Sequence, residues 1–263
     1  MERVKAKKAL GQHFLNDEHI AARISDTINA PVPDIHREPE SLPVLEVGPG
    51  MGVLTKYLMQ SGRDVKAVEL DTESVHFLSK TYPGLKVIEG DFLKLDLGDI
   101  FGGPFALIGN YPYNISSQIF FKVLDNIDIV PVAAGMLQKE VAERICAKPG
   151  GKVYGILSVL LQTWYDCEYL FTVEPHVFTP PPKVRSGVIR LTRNSRTDLG
   201  VDPELFKKVV KTSFGQRRKT IRNSLSPMLQ PGSPALQSRF MQERPERLSV
   251  EEFIELTKLI SYT

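Results

Sequence analysis

Apolar residues recur along the first half of the chain in short runs, which are separated by segments with helical spacing. The apolar runs predict five β-strands, at 44–48, 65–70, 85–90, 105–109 and 131–137. The segments with helical spacing predict helices over 12–30, 53–61, 72–81 and 116–126. Asn16 is the expected N-cap of the first helix. Strands that alternate with helices are typical of a parallel, doubly wound α/β sheet.

The pattern changes in the second half of the chain. The runs CEYLFTV (167–173) and GVIRL (187–191) resemble the strands of a hairpin, which predicts an antiparallel strand at the end of the sheet. Beyond Arg196 the sequence is helical and basic, without a further strand pattern. We therefore expect an α/β domain over 1–195 and a small helical domain over 196–263. The proline-rich segment 31–43 is interpreted as a loop.

The composition is that of an ordinary globular protein. Of the 263 residues, 42% are hydrophobic and 24% are charged, which argues against wholesale disorder. The two cysteines, Cys146 and Cys167, lie outside any C-x-x-C spacing, so we expect neither a disulfide framework nor a metal site. The sequence shows no signal-peptide pattern and no run of about 18 apolar residues. These features predict a cytoplasmic protein that does not associate with a membrane.

The net charge of +2 conceals two basic clusters. Residues 183–222 contain twelve Lys or Arg against three Asp or Glu, and residues 2–8 contain four against one. Basic clusters on both sides of a candidate site predict a polyanionic partner, namely a nucleic acid. The alternative interpretation of each cluster is a solvated helix face.

A glycine-rich turn follows the first predicted strand of the sheet. The run LEVGPGMGVLT (45–55) places Gly48, Gly50 and Gly52 between a strand and a helix, where a ligand can approach the main chain closely. Val53 stands where a dinucleotide fingerprint requires its third glycine, so the spacing disfavours a dinucleotide. A purely structural turn is the alternative.

Carboxylates accompany successive predicted strands. Glu69 ends the second strand and can accept hydrogen bonds from both hydroxyls of a ribose. Asp91 follows the third strand and suits the amino group of an adenine. Together with Glu46 in the first strand, these residues predict a nucleoside ligand. The pattern resembles the S-adenosylmethionine-dependent methyltransferases, which implies S-adenosylmethionine as the cofactor.

The segment NYPYNISS (110–117) follows the strand 105–109 and suggests chemistry on an amino group. The lone pair of an exocyclic adenine nitrogen is delocalised into the ring, and two acceptors on its hydrogens would free that lone pair. The amide oxygen of Asn110 and the main-chain carbonyl of Tyr111 can supply the acceptors, while Pro112 stiffens the carbonyl. Tyr113 offers a ring for stacking an extruded base. N-x-P-Y is similar to the N-P-P-Y-type motif of amino-group methyltransferases; a simple turn is the alternative.

A second aromatic residue precedes a rigid turn. Phe178 stands before TPPPKV (179–184), whose three prolines restrict the backbone. Its ring could form the other face of a base sandwich. An ordinary core phenylalanine is the alternative.

Seven segments occur in an order that resembles one family. They are LGQHFL (10–15), LEVGPGMGVLT, AVELD, GDFL, NYPYNISS, FTPPPKV and TSFGQRRKTIRNSL (212–225). The chain resembles the KsgA/RsmA family of small-subunit ribosomal RNA adenine N6,N6-dimethyltransferases over residues 3–225. The resemblance implies a Rossmann-like class I methyltransferase sheet with a small C-terminal helical domain. It also implies that two adjacent adenines in the 3′-terminal hairpin of small-subunit (16S) rRNA are dimethylated on an immature small ribosomal subunit, by an enzyme that we expect to be a monomer.

The resemblance also assigns roles to residues. A cofactor pocket is implied for His13, Leu15, Gly48, Gly50, Glu69, Asp91 and Asn110. Catalytic roles are implied for Asn110, Tyr111, Pro112, Tyr113 and Phe178. An RNA-binding surface is implied for Arg217, Arg218, Lys219 and Arg222, which contact phosphates.

Two residues depart from the family pattern. The family often has Asn where this chain has His13, which leaves the role of that side chain open. The family usually has an aliphatic residue at Tyr111. Since the expected contact of Tyr111 uses its main-chain carbonyl, we expect activity to survive and the phenol to alter how the base enters.

Parts of the sequence are also compatible with three other functions. The antibiotic-resistance methyltransferases that modify a large-subunit adenine share the fold, but the basic block QRRKTIRNSL (216–225) favours the small-subunit group. A non-catalytic assembly factor, like the related mitochondrial transcription factors, would not need Glu69, Asp91 and the N-x-P-Y motif together. A nicotinamide dehydrogenase is disfavoured by Val53 and by the lack of a His or Lys constellation for hydride transfer.

Overall fold

The computed structural model of the chain describes residues 4, 6–7, 10–32 and 41–261. The chain divides into two units, the first formed by Met1–Ala142 and Asp166–Asn194 and the second by Glu143–Tyr165 and Ser195–Thr263. The expected division into residues 1–195 and 196–263 places residues 143–165 in the first domain. In the structure these residues belong to the second unit. Most of the predicted loop 31–43 lies outside the described residues.

The described part of the chain contains nine strands. Their bounds are β1 (Phe14–Leu15), β2 (Val44–Val47), β3 (Val65–Glu69), β4 (Lys86–Glu89), β5 (Ala106–Asn110), β6 (Val132–Gln138), β7 (Tyr165–Val173), β8 (Phe178–Thr179) and β9 (Ser186–Arg193). The main sheet has the order β4-β3-β2-β5-β6-β9-β7, and β1 pairs with β8 in a separate two-stranded sheet. The strands from β4 to β6 pair in parallel, and β9 pairs antiparallel to β6. The predicted mostly parallel sheet with an antiparallel strand is confirmed.

Helices connect the strands of the first unit. They are α1 (Glu18–Ser25), α2 (Thr55–Gln60), α3 (Thr72–Thr81), α4 (Gly98–Phe101) and α5 (Ser116–Leu124), and α6 (Lys139–Ile145) leads from β6 into the second unit. The strands β2, β5 and β6 are almost entirely buried, as their continuous apolar runs predict. Neither α4 nor α6 was expected from the sequence.

The predicted helix over 12–30 is wrong at its beginning. Residues 14–15 form β1, and α1 begins only at Glu18. The N-cap is Asp17, which accepts a hydrogen bond from the main-chain nitrogen of Ile20. The side chain of Asn16 instead donates to the hydroxyl of Thr179 at 2.7 Å, so it ties β1 to β8.

The second unit is helical. Its helices are α7 (Ile156–Trp164), α8 (Pro203–Gly215), α9 (Ile221–Ser224) and α10 (Val250–Ser261), and short 3₁₀ helices lie between α9 and α10. Between residues 196 and 261 the chain forms no strand, as expected. The core includes edge contacts between the rings of Tyr154 and Phe214 and a tilted pair of Phe214 with Phe253. In the described part of the chain, no helix is long and apolar enough to cross a bilayer.

Candidate active site

A cavity opens where β2, β3, β4 and β5 end, which is the usual ligand position of an open α/β sheet. Its walls come from the segments that follow these strands and from residues 10–15. Every residue expected to bind a cofactor lines it, namely His13, Leu15, Gly48, Gly50, Glu69, Asp91 and Asn110. The first three residues after Asn110 also line it. The structure therefore brings the two predicted sites, for nucleoside and for target base, to one cavity.

The glycine turn forms one wall because its backbone is left-handed. Gly48 and Gly50 have φ angles of +67° and +57°, which side chains disfavour. A Cβ atom on Gly50 would also lie 2.9 Å from the ring of Phe14. Glycine at position 50 thus permits the left-handed turn and also leaves room for Phe14 of the segment 10–15.

Glu69 is held in place by main-chain donors. Its two carboxylate oxygens accept hydrogen bonds from the nitrogens of Gly50 at 3.0 Å and Asp71 at 2.9 Å. The side chain is buried, and this burial raises the pKa of the carboxyl above its usual value. A carboxylate offers about four lone-pair positions, so two remain for ligand hydroxyls.

The other two carboxylates have different environments. Asp91 caps a short 3₁₀ turn by accepting from the nitrogen of Leu93 at 3.0 Å, and its side chain stays partly exposed at the cavity. Glu46 is buried and accepts a 2.6 Å hydrogen bond from the hydroxyl of Thr55. Burial raises the pKa of Glu46 to about 8, so this carboxyl is largely protonated at neutral pH. Glu46 therefore joins β2 to α2 rather than offering a charge to a ligand.

Asn110 ends β5 with its amide oriented by a single contact. The amide nitrogen donates to the main-chain carbonyl of His13 at 3.0 Å. Since a carbonyl can only accept, the nitrogen must face His13 and the oxygen Oδ1 must point the other way. Within the described residues, Oδ1 accepts no hydrogen bond. Asn110 thus presents an unoccupied acceptor at the cavity.

The side chain of Tyr111 differs from the expectation. Tyr111 is 1% exposed, and its phenol donates to the carbonyl of Ala134 at 2.7 Å. Because the phenol is buried in this way, it cannot alter how a base enters the cavity. Two paired glycines make room for the ring, because a Cβ on Gly109 or Gly135 would lie 3.1 or 2.8 Å from it. The main-chain nitrogen of Tyr111 donates to Met136, and its carbonyl accepts no hydrogen bond from the described residues. The proposed carbonyl acceptor is therefore available.

Removing this phenol tests how far it anchors the segment. Tyr111→Phe leaves the ring in its glycine pocket but deletes the hydrogen bond to Ala134, so we expect the free energy of unfolding to fall by about 1 kcal/mol. Tyr111→Leu also leaves part of the pocket unfilled and should cost about 2–4 kcal/mol. Urea denaturation of the three proteins measures both losses. Equal stabilities of the wild type and the Phe variant would show that the phenol anchors nothing.

Pro112 and Tyr113 complete the N-x-P-Y segment. A Cβ on Gly48 would lie 3.7 Å from Pro112, which places the proline against the glycine turn. The phenol of Tyr113 shares a 2.5 Å hydrogen bond with the hydroxyl of the buried Ser186. The ring is half-buried, its burial raises the pKa of the phenol, and its centroid lies 5.5 Å from that of the His13 imidazole. Tyr113 therefore has a fixed ring with one edge in the core.

The segment 10–15 lines the cavity and contacts residues 178–180, which come much later in the sequence of the same unit. The Nδ1 atom of His13 donates to the carbonyl of Pro180 at 2.8 Å. Leu15 is buried and pairs with Phe178 in the β1–β8 ladder. Lys7, in one of the predicted basic clusters, forms ion pairs with Asp71 and Glu73. That part of the cluster has a structural role.

The structure contradicts the expected position of Phe178. Its side chain is 2% exposed, belongs to the hydrophobic core with Leu15, and is not among the residues that line the cavity. In this arrangement the ring packs in the core with Leu15 and presents no face to the cavity. The alternative considered for it, an ordinary core phenylalanine, describes what is seen.

The four basic residues expected to bind RNA lie at the junction of α8 and α9. Arg218, Lys219 and Arg222 are exposed, whereas Arg217 is half-buried and donates to the carbonyl of Gly151 at 3.1 Å. Arg222 donates to the carbonyl of Leu236 at 3.2 Å. The cluster is therefore mainly a turn rather than a helix face, and Arg218 and Lys219 make no ion pair within the described residues.

The sequence reasoning missed several residues of the cavity. Phe14 and Leu70 line it, and Leu70 is 53% exposed although it is a large apolar residue. Phe14 belongs to the quoted LGQHFL segment, so its motif was the available signal. Leu70 has no signal beyond its place after Glu69. Ser186, which lies outside the cavity but holds Tyr113, could not be found either, because the two residues are 73 positions apart in the sequence. Among the described residues, no cluster of His, Cys, Asp or Glu could hold a metal ion.

Comparisons with known proteins agree with this geometry. A family model described as ribosomal RNA adenine dimethylase matches residues 3–261. A protein of Parabacteroides distasonis named ribosomal RNA small subunit methyltransferase A is 60% identical, with 98% of this chain and 94% of the relative covered. A protein of the same name from Porphyromonas gingivalis is 56% identical, with 99% of both covered.

Two solved structures share the fold over nearly the whole chain. A dimethyladenosine transferase from Plasmodium falciparum superimposes with a TM-score of 0.76 at 24% identity, covering 93% of this chain and 96% of that one. The 23S rRNA methyltransferase ErmE gives a TM-score of 0.67 at 25% identity, covering 94% and 99%.

Proposed function

We propose a specific substrate for this chain, which belongs to the ribosomal RNA adenine dimethylase family and is an rRNA adenine dimethyltransferase that uses S-adenosylmethionine. The proposed substrate is the pair of adjacent adenines in the 3′-terminal hairpin of small-subunit rRNA, on an immature small subunit. An adenine amino group as the target is best supported by the pair of unused acceptors, Asn110 Oδ1 and the Tyr111 carbonyl, beside the ring of Tyr113 in the cavity.

The cavity fits the cofactor by the chemistry of its donors and acceptors. The carboxylate of Glu69 keeps lone pairs for two ribose hydroxyls, and Asp91 is placed for an adenine amino group. The left-handed glycines 48 and 50 let a ligand approach the main chain. When bound, S-adenosylmethionine supplies a methyl group on a positively charged sulfur.

The residues of the segment 110–113 then act on the target adenine. Asn110 Oδ1 and the Tyr111 carbonyl accept the two hydrogens of the amino group, which favours a pyramidal nitrogen with a directed lone pair. Tyr113 holds the plane of the base by stacking. The rate gain comes from alignment and from prearranged dipoles, and the released proton passes to water. After the first transfer one hydrogen remains on the nitrogen, so one of the two acceptors holds the N6-methyl group's nitrogen for the second transfer.

The choice of a small-subunit substrate is supported by the relatives. The proteins with 56–60% identity carry a small-subunit name, whereas the large-subunit enzyme ErmE is only 25% identical. We further propose that the enzyme is a monomer and that it acts in the cytoplasm, where small subunits are assembled.

The turn between α8 and α9 is proposed to bind RNA phosphates. The double variant Arg218→Ala, Lys219→Ala removes two exposed cations that make no ion pair within the described residues. We expect the slope of log Kd against log salt concentration to fall by about 1.5. Binding to small-subunit RNA is measured by filter retention between low and moderate salt. Lys258→Ala, which removes an exposed cation of α10, is the matched control. An unchanged slope in the double variant would place the phosphate contacts elsewhere.

The proposed substrate is tested by comparing rates of methyl transfer. The enzyme is given labelled cofactor with immature small subunits, mature small subunits, naked small-subunit RNA, or large-subunit RNA. We expect the immature subunit to be the best substrate by at least about 10-fold, because a partly assembled particle would hold the RNA in a defined fold and leave the hairpin accessible. A preference for large-subunit RNA would overturn the proposal.

A further inference from the structure

The segment 180–186, which we call the rim segment, has both ends fastened to the walls of the catalytic cavity. At its start, the carbonyl of Pro180 accepts from the imidazole of His13 at 2.8 Å. At its end, the hydroxyl of Ser186 shares a 2.5 Å hydrogen bond with the phenol of Tyr113. His13 and Tyr113 both line the cavity, and their rings contact each other. The rim segment therefore spans the edge of the site where a target base would stack.

The middle of the rim segment is exposed and carries an unusual set of side chains. Lys183, Val184 and Arg185 are all exposed, whereas Pro182 before them is buried. Among the described residues only three large apolar side chains are exposed, namely Leu70, Val153 and Val184. Single exposed apolar residues are common, but Val184 lies between two cations on a segment fastened to Tyr113.

Both cations are available to an anionic partner. Lys183 makes no ion pair within the described residues. Arg185 pairs with Glu174 at 3.2 Å, and both side chains are about half-exposed, so the pair contributes little to stability and can exchange for a phosphate. Glu174 is the acidic group in contact with the segment.

We propose that the rim segment binds the RNA strand directly beside the target adenine. Lys183 and Arg185 contact the flanking phosphates, and Val184 packs against the base that loses its stacking partner when the adenine is extruded. Cations that bind phosphates fix the register of a nucleic acid, and apolar side chains are used elsewhere to occupy opened base steps. The proposal rests on the proposed function, because it assigns a further part of the same substrate.

The hydrogen bond between Ser186 and Tyr113 connects this surface to the reaction. RNA that settles on the rim segment contacts a rigid support that ends at the stacking tyrosine. The rim segment, which places the strand, and Tyr113, which places the base, are then linked by one side-chain hydrogen bond. This arrangement gives the enzyme a way to present each of two adjacent adenines in the same orientation.

The position of the rim segment is tested by photocrosslinking. Val184→p-benzoylphenylalanine is irradiated in complex with unmethylated small subunits, and the crosslinked nucleotide is mapped by primer extension. The crosslink is expected within about two nucleotides of an adenine that the wild-type enzyme methylates. A crosslink to a different helix of the RNA overturns the proposal. So does the absence of any crosslink in a variant that still methylates the subunit.

A second measurement tests the contribution to binding. Val184→Ser should lower kcat/KM for the subunit about 10-fold, as loss of one buried apolar contact predicts, and Lys183→Ala should reduce the salt slope by about 0.7–0.9. The Kd for cofactor should stay unchanged in both. The control is Lys86→Ala, an exposed lysine at the start of β4 on the opposite edge of the sheet.

The outcomes separate this inference from the proposed function. A wild-type enzyme that does not methylate small subunits refutes the proposed function itself. A wild-type enzyme that does, together with Val184→Ser and Lys183→Ala variants that behave like Lys86→Ala, refutes only the role of the rim segment.

Discussion

Asn110→Ala is expected to lower the rate of methyl transfer by at least about 10³-fold, which corresponds to about 4 kcal/mol of transition-state stabilisation. The variant loses the acceptor that directs the lone pair of the adenine nitrogen, and this interaction matters only during transfer. The Kd for S-adenosylmethionine should change by no more than a few-fold, since Glu69 and Asp91 are untouched. Single-turnover rates with saturating cofactor measure the first effect and isothermal titration measures the second.

The control for this prediction is another amide of the same domain. Asn126→Ala removes a side chain that donates to the carbonyl of Lys122, outside the cavity, and should leave turnover near the wild-type value. If Asn110→Ala also retained near-normal turnover, the amide oxygen would not be the acceptor, and the account of the segment 110–113 would fail.

Glu69→Ala is expected to weaken cofactor binding by about 2–3 kcal/mol, or roughly 30–150-fold. The loss corresponds to hydrogen bonds made to a charged group, each of which contributes about 1.5–3 kcal/mol. The maximal rate at saturating cofactor should fall much less, because the carboxylate is bound to the nucleoside and not to the reacting atoms. Isothermal titration gives the affinity, and a rate curve against cofactor concentration separates KM from kcat.

Glu89→Ala is a matched control for Glu69. Glu89 pairs with Glu69 in the β3–β4 register, but its carboxylate is exposed, accepts from the hydroxyl of Thr72 and does not line the cavity. Its variant should bind cofactor like the wild type. Equal losses in the two variants would mean that the sheet edge, rather than the ribose contact, had been disturbed.

The sequence predicted the main sheet well because its signals are local. The strands β2, β3, β5 and β6 are mostly apolar, and burial on both faces of a parallel sheet produces that pattern. The cavity followed from the same reasoning, because the carboxyl ends of parallel strands meet at one edge. Glu69, Asp91 and Asn110 needed only their positions after strands to be found together.

What the sequence did not predict depends on contacts between distant residues. The segment 12–17 has helical spacing, yet Phe14 and Leu15 form a strand because β8, more than 160 residues later, offers them a ladder. The same pairing buries Phe178. The phenol of Tyr111 turns inward because Gly109 and Gly135 lie opposite each other in the register of β5 and β6. A local sequence pattern cannot reveal which residues of two different strands lie opposite each other.

The central claim is that two acceptors, Asn110 Oδ1 and the Tyr111 carbonyl, hold an adenine amino group for methyl transfer. It is tested most directly by reacting the enzyme with unmethylated small subunits and labelled cofactor, and by mapping the label with nucleoside mass spectrometry. The account predicts N6,N6-dimethyladenosine at two adjacent positions of the 3′-terminal hairpin, and no such product with Asn110→Ala. Label on another atom or base of the small-subunit RNA, or dimethyladenosine formed by Asn110→Ala at the wild-type rate, would contradict it.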